Sequence, residues 1–227
     1  MVNKGSEALC QQLVYTFRDP ALLARALTHR SKAPDHNERL EFLGDSVLNL
    51  VVSTELYNRF PELDEGELTR LRATLVRKPT LAAHARVLDL GQYIELGGGE
   101  LKSGGYDRDS ILADTLEAVL GAIYQDGGLE QASRVIQLLY RENFAALDPS
   151  TIPKDPKTRL QEYLQQHSLL TPVYHILDVK GEPHNQNFVV ECNVSSLNQT
   201  VKGEGNSRRA AEQQAAQRAL ELLEHSR

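Results

Sequence analysis

A proline-rich segment near residue 150 separates two parts of this chain that have different sequence patterns. Three prolines fall within residues 148–156. Proline cannot continue a helix and favours an extended, semi-stiff connector. We therefore expect a first domain at residues 1–148, a linker at residues 149–155 and a second domain at residues 156–225. A long surface loop inside one domain is the alternative.

The part before the prolines has helical periodicity throughout. Apolar residues recur at three- and four-residue spacing, and prolines and glycines separate the runs. No extended period-2 run occurs, so this part is predicted to be all-α. The predicted helices cover residues 21–28, 38–60, 65–78, 79–88, 110–125 and 129–144.

The part after the prolines combines both periodicities. Its element order is predicted to be α-β-β-β-α, which describes a small α+β domain of about 70 residues. The helices are predicted at residues 157–167 and 207–223, and the strands at 173–179, 188–194 and 199–203.

Composition excludes several classes of protein. Cys10 and Cys192 lie far apart and form neither a disulfide framework nor a zinc motif. No apolar run approaches the ~18 residues of a membrane span, and residues 1–13 lack the apolar stretch of a signal peptide. We expect a cytoplasmic protein with no membrane partner and no organic cofactor.

Net charge is distributed unevenly along the chain. The whole net charge of −6 lies before the prolines, whereas the later part has equal numbers of basic and acidic residues. Any nucleic-acid binding must therefore use local patches rather than a broad basic field.

The predicted helix at residues 38–60 has an acidic stripe. Glu38, Glu41 and Asp45 fall within about 60° on one helix face. Such a stripe is usually the solvated side of an amphipathic helix. Phe42 and Leu48, however, flank the acidic side and indicate that it does not simply face water.

A second acidic pair lies in a helix that is apolar or small almost all round. Asp114 and Glu117 are three residues apart there, and burying both costs several kcal/mol unless something neutralises them. Basic partners, raised pKa values or a divalent metal ion are the alternatives. Carboxylate ligands without a nearby His or Cys suit Mg²⁺, with Mn²⁺ as a substitute, and such Mg²⁺ ions most often act on phosphate esters.

Two motifs carry a resemblance to a known family. The run His-Asn-Glu-Arg-Leu-Glu-Phe-Leu-Gly-Asp-Ser at residues 36–46 resembles the signature of the ribonuclease III family. Residues 102–105 and 110–118, Lys-Ser-Gly-Gly and Ser-Ile-Leu-Ala-Asp-Thr-Leu-Glu-Ala, match its second conserved stretch. The resemblance covers essentially the whole chain and is to the bacterial form with one catalytic domain.

The resemblance implies roles for six acidic residues. It implies metal ligands at Glu41, Asp114 and Glu117. Asp45 matches the position that acts with Glu117 at the catalytic centre. Glu38 and Glu65 match supporting acidic positions, although Glu65 also suits a helix N-terminus.

The resemblance also implies an activity and an assembly. The expected enzyme is an endoribonuclease that cleaves double-stranded RNA with a divalent metal ion, leaving 5′-phosphate and 3′-hydroxyl ends. A homodimer is implied because each protomer has one acidic centre and two strands must be cut. Processing of ribosomal RNA precursors and other structured transcripts is the implied role.

The second domain resembles the double-stranded RNA-binding domain. Arg208 and Arg209 fall in the first turn of its last helix, where positive charge is unfavourable next to the helix dipole. A bound anion such as phosphate would remove this penalty. The alternative is that both arginines are simply solvated. The resemblance implies RNA contacts at Thr158, Gln161, Glu162, His184, Ser207, Arg208 and Arg209.

Two further features bear on RNA binding: Glu212 and the glycine-rich residues 97–105. Glu212 stands where the RNA-binding domain usually has a third basic residue, which predicts weaker RNA binding and a salt dependence shallower by about one charge. The glycine-rich residues 97–105 are either a flexible connector or a substrate contact, with Lys102 and Arg108 as candidates.

Two rival functions belong to other classes. A catalytically silent RNA-binding protein predicts loss of the core carboxylates, yet all four are present. A hydrolase of small phosphate esters would not need residues 149–227.

Overall fold

The chain forms two units in the computed structural model, Met1–Ile152 and Pro153–Arg227. The structure describes residues 6–149, 156–181, 186–195, 197 and 200–225. The predicted linker therefore lies, except for Pro149, outside the described residues, and the exact domain limits stay predictions.

The described part of the first unit is helical, as the sequence predicts. Turns and longer loops connect its helices, and these include 3₁₀ turns at Leu90–Gln92 and Gly105–Asp107. No described helix is long and apolar enough to cross a membrane. The helices are α1 (Ser6–Gln12), α2 (Pro20–Ala26), α3 (Glu38–Arg59), α4 (Glu65–Leu75), α5 (Lys78–Val87), α6 (Gly98–Lys102), α7 (Asp109–Leu139) and α8 (Arg141–Ala145).

Helices α1 and α6 are absent from the sequence prediction. Helix α1 is only two turns long, which is too short for periodicity to show. Helix α6 begins within three glycines, which favour a loop in any sequence-based assignment. The predicted break between residues 125 and 129 is confirmed, since Gly128 has φ +79° and interrupts the helical geometry of α7.

Helices α3 and α7 approach so closely that their backbones touch. A Cβ atom at Gly44 of α3 would overlap the carbonyl oxygen of Glu117 in α7. A Cβ atom at Gly121 of α7 would overlap the carbonyl oxygen of Leu40 in α3. The buried side chains around this contact are almost all aliphatic, such as Leu48 and Leu116. The two glycines thus fix which turns of the two helices face each other.

The second unit has the predicted α-β-β-β-α order. Its strands form an antiparallel sheet in the order β1-β2-β3, and α10 packs on this sheet and on α9. Its core combines leucines from the helices with alanines along α10 and the buried Cys192 of β2. The elements are α9 (Pro156–Gln166), β1 (Val173–Lys180), β2 (Asn187–Asn193), β3 (Val201–Gly205) and α10 (Arg208–His225).

Strand β3 lies two residues later than predicted. It was predicted to end at Gly203, but Gly203 and Gly205 are both paired with β2. A Cβ atom at Gly203 would overlap the backbone of Ala211 and Ala215 in α10. Glycine is needed here because helix and strand are in backbone contact. Residue 199, the predicted start, lies outside the described residues.

The glycine contact between α3 and α7 can be tested by adding one methyl group. We expect Gly44→Ala to lower the free energy of unfolding by about 1–3 kcal/mol, because the methyl group must push the two helices apart. Gly99→Ala is the matched control, since nothing lies within 4 Å of the added Cβ in α6. Urea unfolding measures both, and equal stability of Gly44→Ala and the wild type would contradict the close contact.

Candidate functional site

Three carboxylates meet where α3 and α7 touch. Glu41 from α3 and Asp114 and Glu117 from α7 each offer one oxygen, and these oxygens all lie within 4.8 Å of one another. Glu41 lies three residues before Gly44, and Glu117 lies four residues before Gly121. The glycine contact therefore brings this pair of acidic residues together from two helices.

The environment of these carboxylates disfavours negative charge. Glu117 is only 9% exposed. Burial, followed by the negative charges of Asp45 and the other two carboxylates, raises the pKa of Glu117 to about 8. Burial and the charge of Asp114 also raise the pKa of Glu41. Raised pKa values were one of the three predicted ways to neutralise these carboxylates, and they are present at two of the three residues, Glu41 and Glu117.

A basic partner is present as well. The Nζ atom of Lys78 lies 2.9 Å from the Oδ1 atom of Asp114. Lys78 is the first residue of α5, and 36 positions of sequence separate it from Asp114. Sequence reasoning missed this residue, because no local pattern connects two residues on different helices.

Asp45 lies beside this cluster on the more exposed side. Its charge is one of the causes that raise the pKa of Glu117. The side-chain amide of Asn49 donates a hydrogen bond of 2.8 Å to Oδ1 of Asp45. The prediction that the acidic side of α3 is partly shielded is correct for Leu48, which is buried, but wrong for Phe42, which is 77% exposed.

The two supporting acidic residues occupy different places. Glu38 accepts a hydrogen bond of 3.0 Å from Arg30 and is close enough for its charge to act on the pKa of Glu41. Glu65 lies at the start of α4, where it accepts a hydrogen bond from Thr69. It lines a separate cleft and is not brought to the three carboxylates.

One histidine lies closer to the site than sequence reasoning expected. The charge of Asp114 acts on His29, although burial has the larger effect and lowers the pKa of this imidazole. The Nδ1 atom of His29 is 2.8 Å from the hydroxyl of Ser31, and this hydroxyl accepts a hydrogen bond from the backbone of Gly97. His29 thus helps to hold the glycine-rich segment beside the cluster.

The glycine-rich segment forms α6 and is joined by side-chain contacts to the residues that follow it. Arg108 forms an ion pair of 3.0 Å with Glu100 of α6 and donates a hydrogen bond to Ser103. Lys102 is exposed, with no ion pair among the described residues. Of the two candidate contact residues, Lys102 is therefore the one whose charge remains uncompensated.

A cleft in the second unit brings together most of the predicted RNA contacts. Residues from α9, α10 and the segment before β1 line it, and they include Thr158, Gln161, Arg208 and Arg209. The hydroxyl of Ser207 accepts a hydrogen bond from the backbone of Ala210, so it also caps α10.

Two predicted RNA contacts are placed differently. Glu162 is half-buried on α9 and does not line this cleft. His184 lies outside the described residues.

Glu212 faces the interior of the second unit. It is 7% exposed, and its carboxylate accepts hydrogen bonds of 2.6 Å from Lys157 and 2.8 Å from Arg208. Burial acts to raise the pKa of Glu212, but these two hydrogen bonds outweigh burial and hold the pKa below its ordinary value. Glu212 therefore neutralises two cations of the cleft.

Comparison with known sequences matches both units. Residues 19–143 match the family described as Ribonuclease-III-like, and residues 156–223 match the double-stranded RNA binding motif. Ribonuclease 3 of Pasteurella multocida is 54% identical over 223 residues, which is 98% of this chain and 99% of that protein. Ribonuclease 3 of Vibrio vulnificus is 53% identical over 222 residues, with the same shares covered.

Comparison with solved structures matches the first unit. The nuclease domain of ribonuclease III from Campylobacter jejuni is 44% identical, with a TM-score of 0.61. The match covers 64% of this chain and 100% of that domain. The chain therefore belongs to the ribonuclease III family, as a double-strand-specific endoribonuclease whose nuclease domain precedes a double-stranded RNA-binding domain.

Proposed function

We propose that this protein hydrolyses the phosphodiester bonds of double-stranded RNA with a divalent metal ion held by Glu41, Asp114 and Glu117. The convergence of these three carboxylates within 4.8 Å carries the proposal. The set fits a hard cation, because it offers only oxygen ligands and holds more negative charge than its one lysine compensates. Mg²⁺ is the proposed ion, and Mn²⁺ is the proposed substitute.

Glu41, Asp114 and Glu117 would hold a divalent ion whose positive charge would activate a water molecule and stabilise the departing oxygen. Glu117 contributes a buried carboxylate whose negative charge is unfavourable in this environment, which is why its pKa is raised. Either a proton or a cation neutralises this charge. Asp45 is more exposed, and Asn49 fixes its Oδ1 atom. The Oδ2 atom of Asp45, which has no hydrogen bond among the described residues, is left to orient or deprotonate water.

The proposed products follow from which bond breaks. Water adds to phosphorus and the bond from phosphorus to the 3′-oxygen breaks, so the phosphate stays on the 5′ end and the 3′ end leaves as a hydroxyl. Processing of ribosomal RNA precursors and other structured transcripts is the proposed role. The cytoplasm is the proposed location, and the free thiols of Cys10 and Cys192 are those of a reducing compartment.

The second unit is proposed to hold the duplex by the cleft between α9 and α10. Thr158 and Gln161 offer uncharged hydrogen-bonding groups, which suit the 2′-hydroxyls of a minor groove. Arg208 is engaged with Glu212. Among the described residues Arg209 has no ion-pair partner, so it is the proposed phosphate contact.

We propose that two chains form a homodimer through α3. Phe42, Leu50 and Tyr57 are each more than half exposed and lie within roughly 80° on one face of this helix. Such a patch of large apolar side chains is typical of an interface. Glu65 lines a cleft that includes Tyr57, so in a two-fold dimer it would face the partner chain rather than its own cluster. Sedimentation equilibrium tests this, and a monomeric mass at micromolar concentration would contradict it.

Cleavage of a long RNA duplex tests the proposed metal centre. We expect Glu117→Gln to slow cutting at least about a hundredfold, the scale of losing a group that stabilises transition-state charge. EDTA should abolish cutting by the wild type. Duplex binding, measured by gel shift, should persist in both cases, because the second unit is unchanged. Glu130→Gln is the matched control on the same helix, where the carboxylate forms an ion pair with Arg134. Equal cutting by Glu117→Gln and the wild type would remove Glu117 from the mechanism.

The raised pKa of Glu117 predicts how stability depends on pH without metal. The folded protein keeps this proton up to about pH 8, whereas the unfolded chain loses it near the ordinary pKa of 4.5. The folded state therefore binds more protons between these values, and its stability falls as pH rises through this window. Urea unfolding in EDTA at pH 5.5 and 8.5 should show a larger fall for the wild type than for Glu117→Gln. Parallel changes in the two proteins would contradict the raised pKa.

Removing the uncompensated arginine tests the RNA-binding cleft. We expect Arg209→Ala to weaken duplex binding and to reduce the dependence of log K on log salt by about one charge. Lys202→Ala is the control, because Lys202 lies between two inward-facing residues of β3 and so points away from α10. Binding is measured by fluorescence anisotropy at several salt concentrations. An equal slope for Arg209→Ala and the wild type would exclude a phosphate contact at this residue.

A further inference from the structure

Lys78 reaches the carboxylate cluster from a third helix. It is the first residue of α5, which packs against α7, and its Nζ atom lies 2.9 Å from Oδ1 of Asp114. No other Lys or Arg among the described residues is within ion-pair distance of Asp114, Glu41 or Glu117. Lys78 is thus the one basic side chain of the described chain that pairs directly with the cluster.

The position of Lys78 at the start of α5 does not explain why its side chain points towards Asp114. A cation in the first turn of a helix opposes the helix dipole, and α5 has no acidic residue in its first turn to offset this. The favourable partner of Lys78 is therefore on α7. The hydrogen bond to Asp114 raises the pKa of Lys78, so the ammonium keeps its charge.

The charge of Lys78 acts on the whole cluster and not only on Asp114. It lowers the pKa values of Glu41 and Glu117, against the larger effects of burial and of the neighbouring carboxylates. Lys78 consequently offsets part of the repulsion that the contact of α3 with α7 creates.

The same ion pair is easy to break. The side chain of Lys78 is 62% exposed and that of Asp114 is 28% exposed. Ion pairs open to water are weak, and the long, flexible stem of a lysine lets the ammonium rotate into solvent. A divalent cation approaching Asp114 competes with the ammonium group of Lys78. This group carries one positive charge and can be solvated by water instead.

We propose that Lys78 is a built-in counterion of the carboxylate cluster, which a divalent ion displaces from Asp114 when it binds. Lys78 stabilises the metal-free protein and by the same amount weakens its affinity for metal. This inference rests on the proposed metal centre and adds a residue that tunes how much free metal the centre requires.

Titration calorimetry with Mg²⁺ alone, without RNA, measures the competition directly. We expect Lys78→Met to lower the Kd for Mg²⁺ about fivefold, the scale of an exposed ion pair. Lys78→Arg keeps the charge and should bind Mg²⁺ within about twofold of the wild type. Arg77→Met is the matched control, because it removes one positive charge from the adjacent residue, whose guanidinium donates to Thr80 and not to the cluster. Its Kd should not change.

Thermal unfolding supplies a readout that does not depend on calorimetry. In EDTA, Lys78→Met should have a lower Tm than the wild type, because the carboxylates lose their counterion. Saturating Mg²⁺ should then raise the Tm of Lys78→Met more than that of the wild type. Arg77→Met should show the same rise with Mg²⁺ as the wild type.

The outcomes separate this inference from the proposed metal centre. If the wild type binds Mg²⁺ and Glu117→Gln does not, the metal centre stands. An unchanged or higher Kd for Lys78→Met in that case overturns the role of Lys78 alone. If the wild type binds no Mg²⁺, the metal centre and the role of Lys78 fail together.

Discussion

The contact between α3 and α7 at Gly44 and Gly121 is the constraint on which the nuclease unit depends. A side chain at either glycine would separate the two backbones. Because the helices touch, the turns that carry Glu41 and Glu117 are forced side by side, and three carboxylates converge within 4.8 Å. Hydrophobic packing around the glycines therefore supplies the free energy that holds like charges together.

Bringing these carboxylates together is electrostatically unfavourable. Burial and mutual repulsion raise the pKa of Glu117 to about 8, while Lys78 offsets part of the negative charge from the solvent side. A proton, a lysine and a divalent cation are three ways to reduce the same repulsion. A proton and a lysine each bring one positive charge, whereas the proposed divalent ion brings two and so reduces the repulsion further.

Local sequence patterns predicted much of this structure, and the remainder depends on contacts between distant segments. Asp114 and Glu117 stand out in sequence because a helix apolar on all sides must be buried. Lys78 has no such signal, since only tertiary packing places it beside Asp114. Strand β3 was predicted two residues early, and its last residue, Gly205, lies against Ala210 and Ala211 of α10, a contact that no local pattern shows.

The RNA-binding unit and the nuclease unit use charge in opposite ways. In the second unit Glu212 neutralises Lys157 and Arg208, and the unit as a whole has no net charge. In the proposed RNA-binding cleft, recognition of a duplex rests on Arg209 and on uncharged groups such as Gln161, which is compatible with reading the shape of an A-form helix.

The nuclease unit, by contrast, carries the entire net charge of −6 and concentrates several carboxylates at one point. A phosphodiester approaching this point meets repulsion that one exposed lysine only partly offsets. The proposed divalent ion would reduce this repulsion at the carboxylate cluster. The carboxylates that are proposed to hold the ion would therefore also oppose a close approach of RNA without it, so the proposed metal centre implies that metal and substrate binding are coupled there.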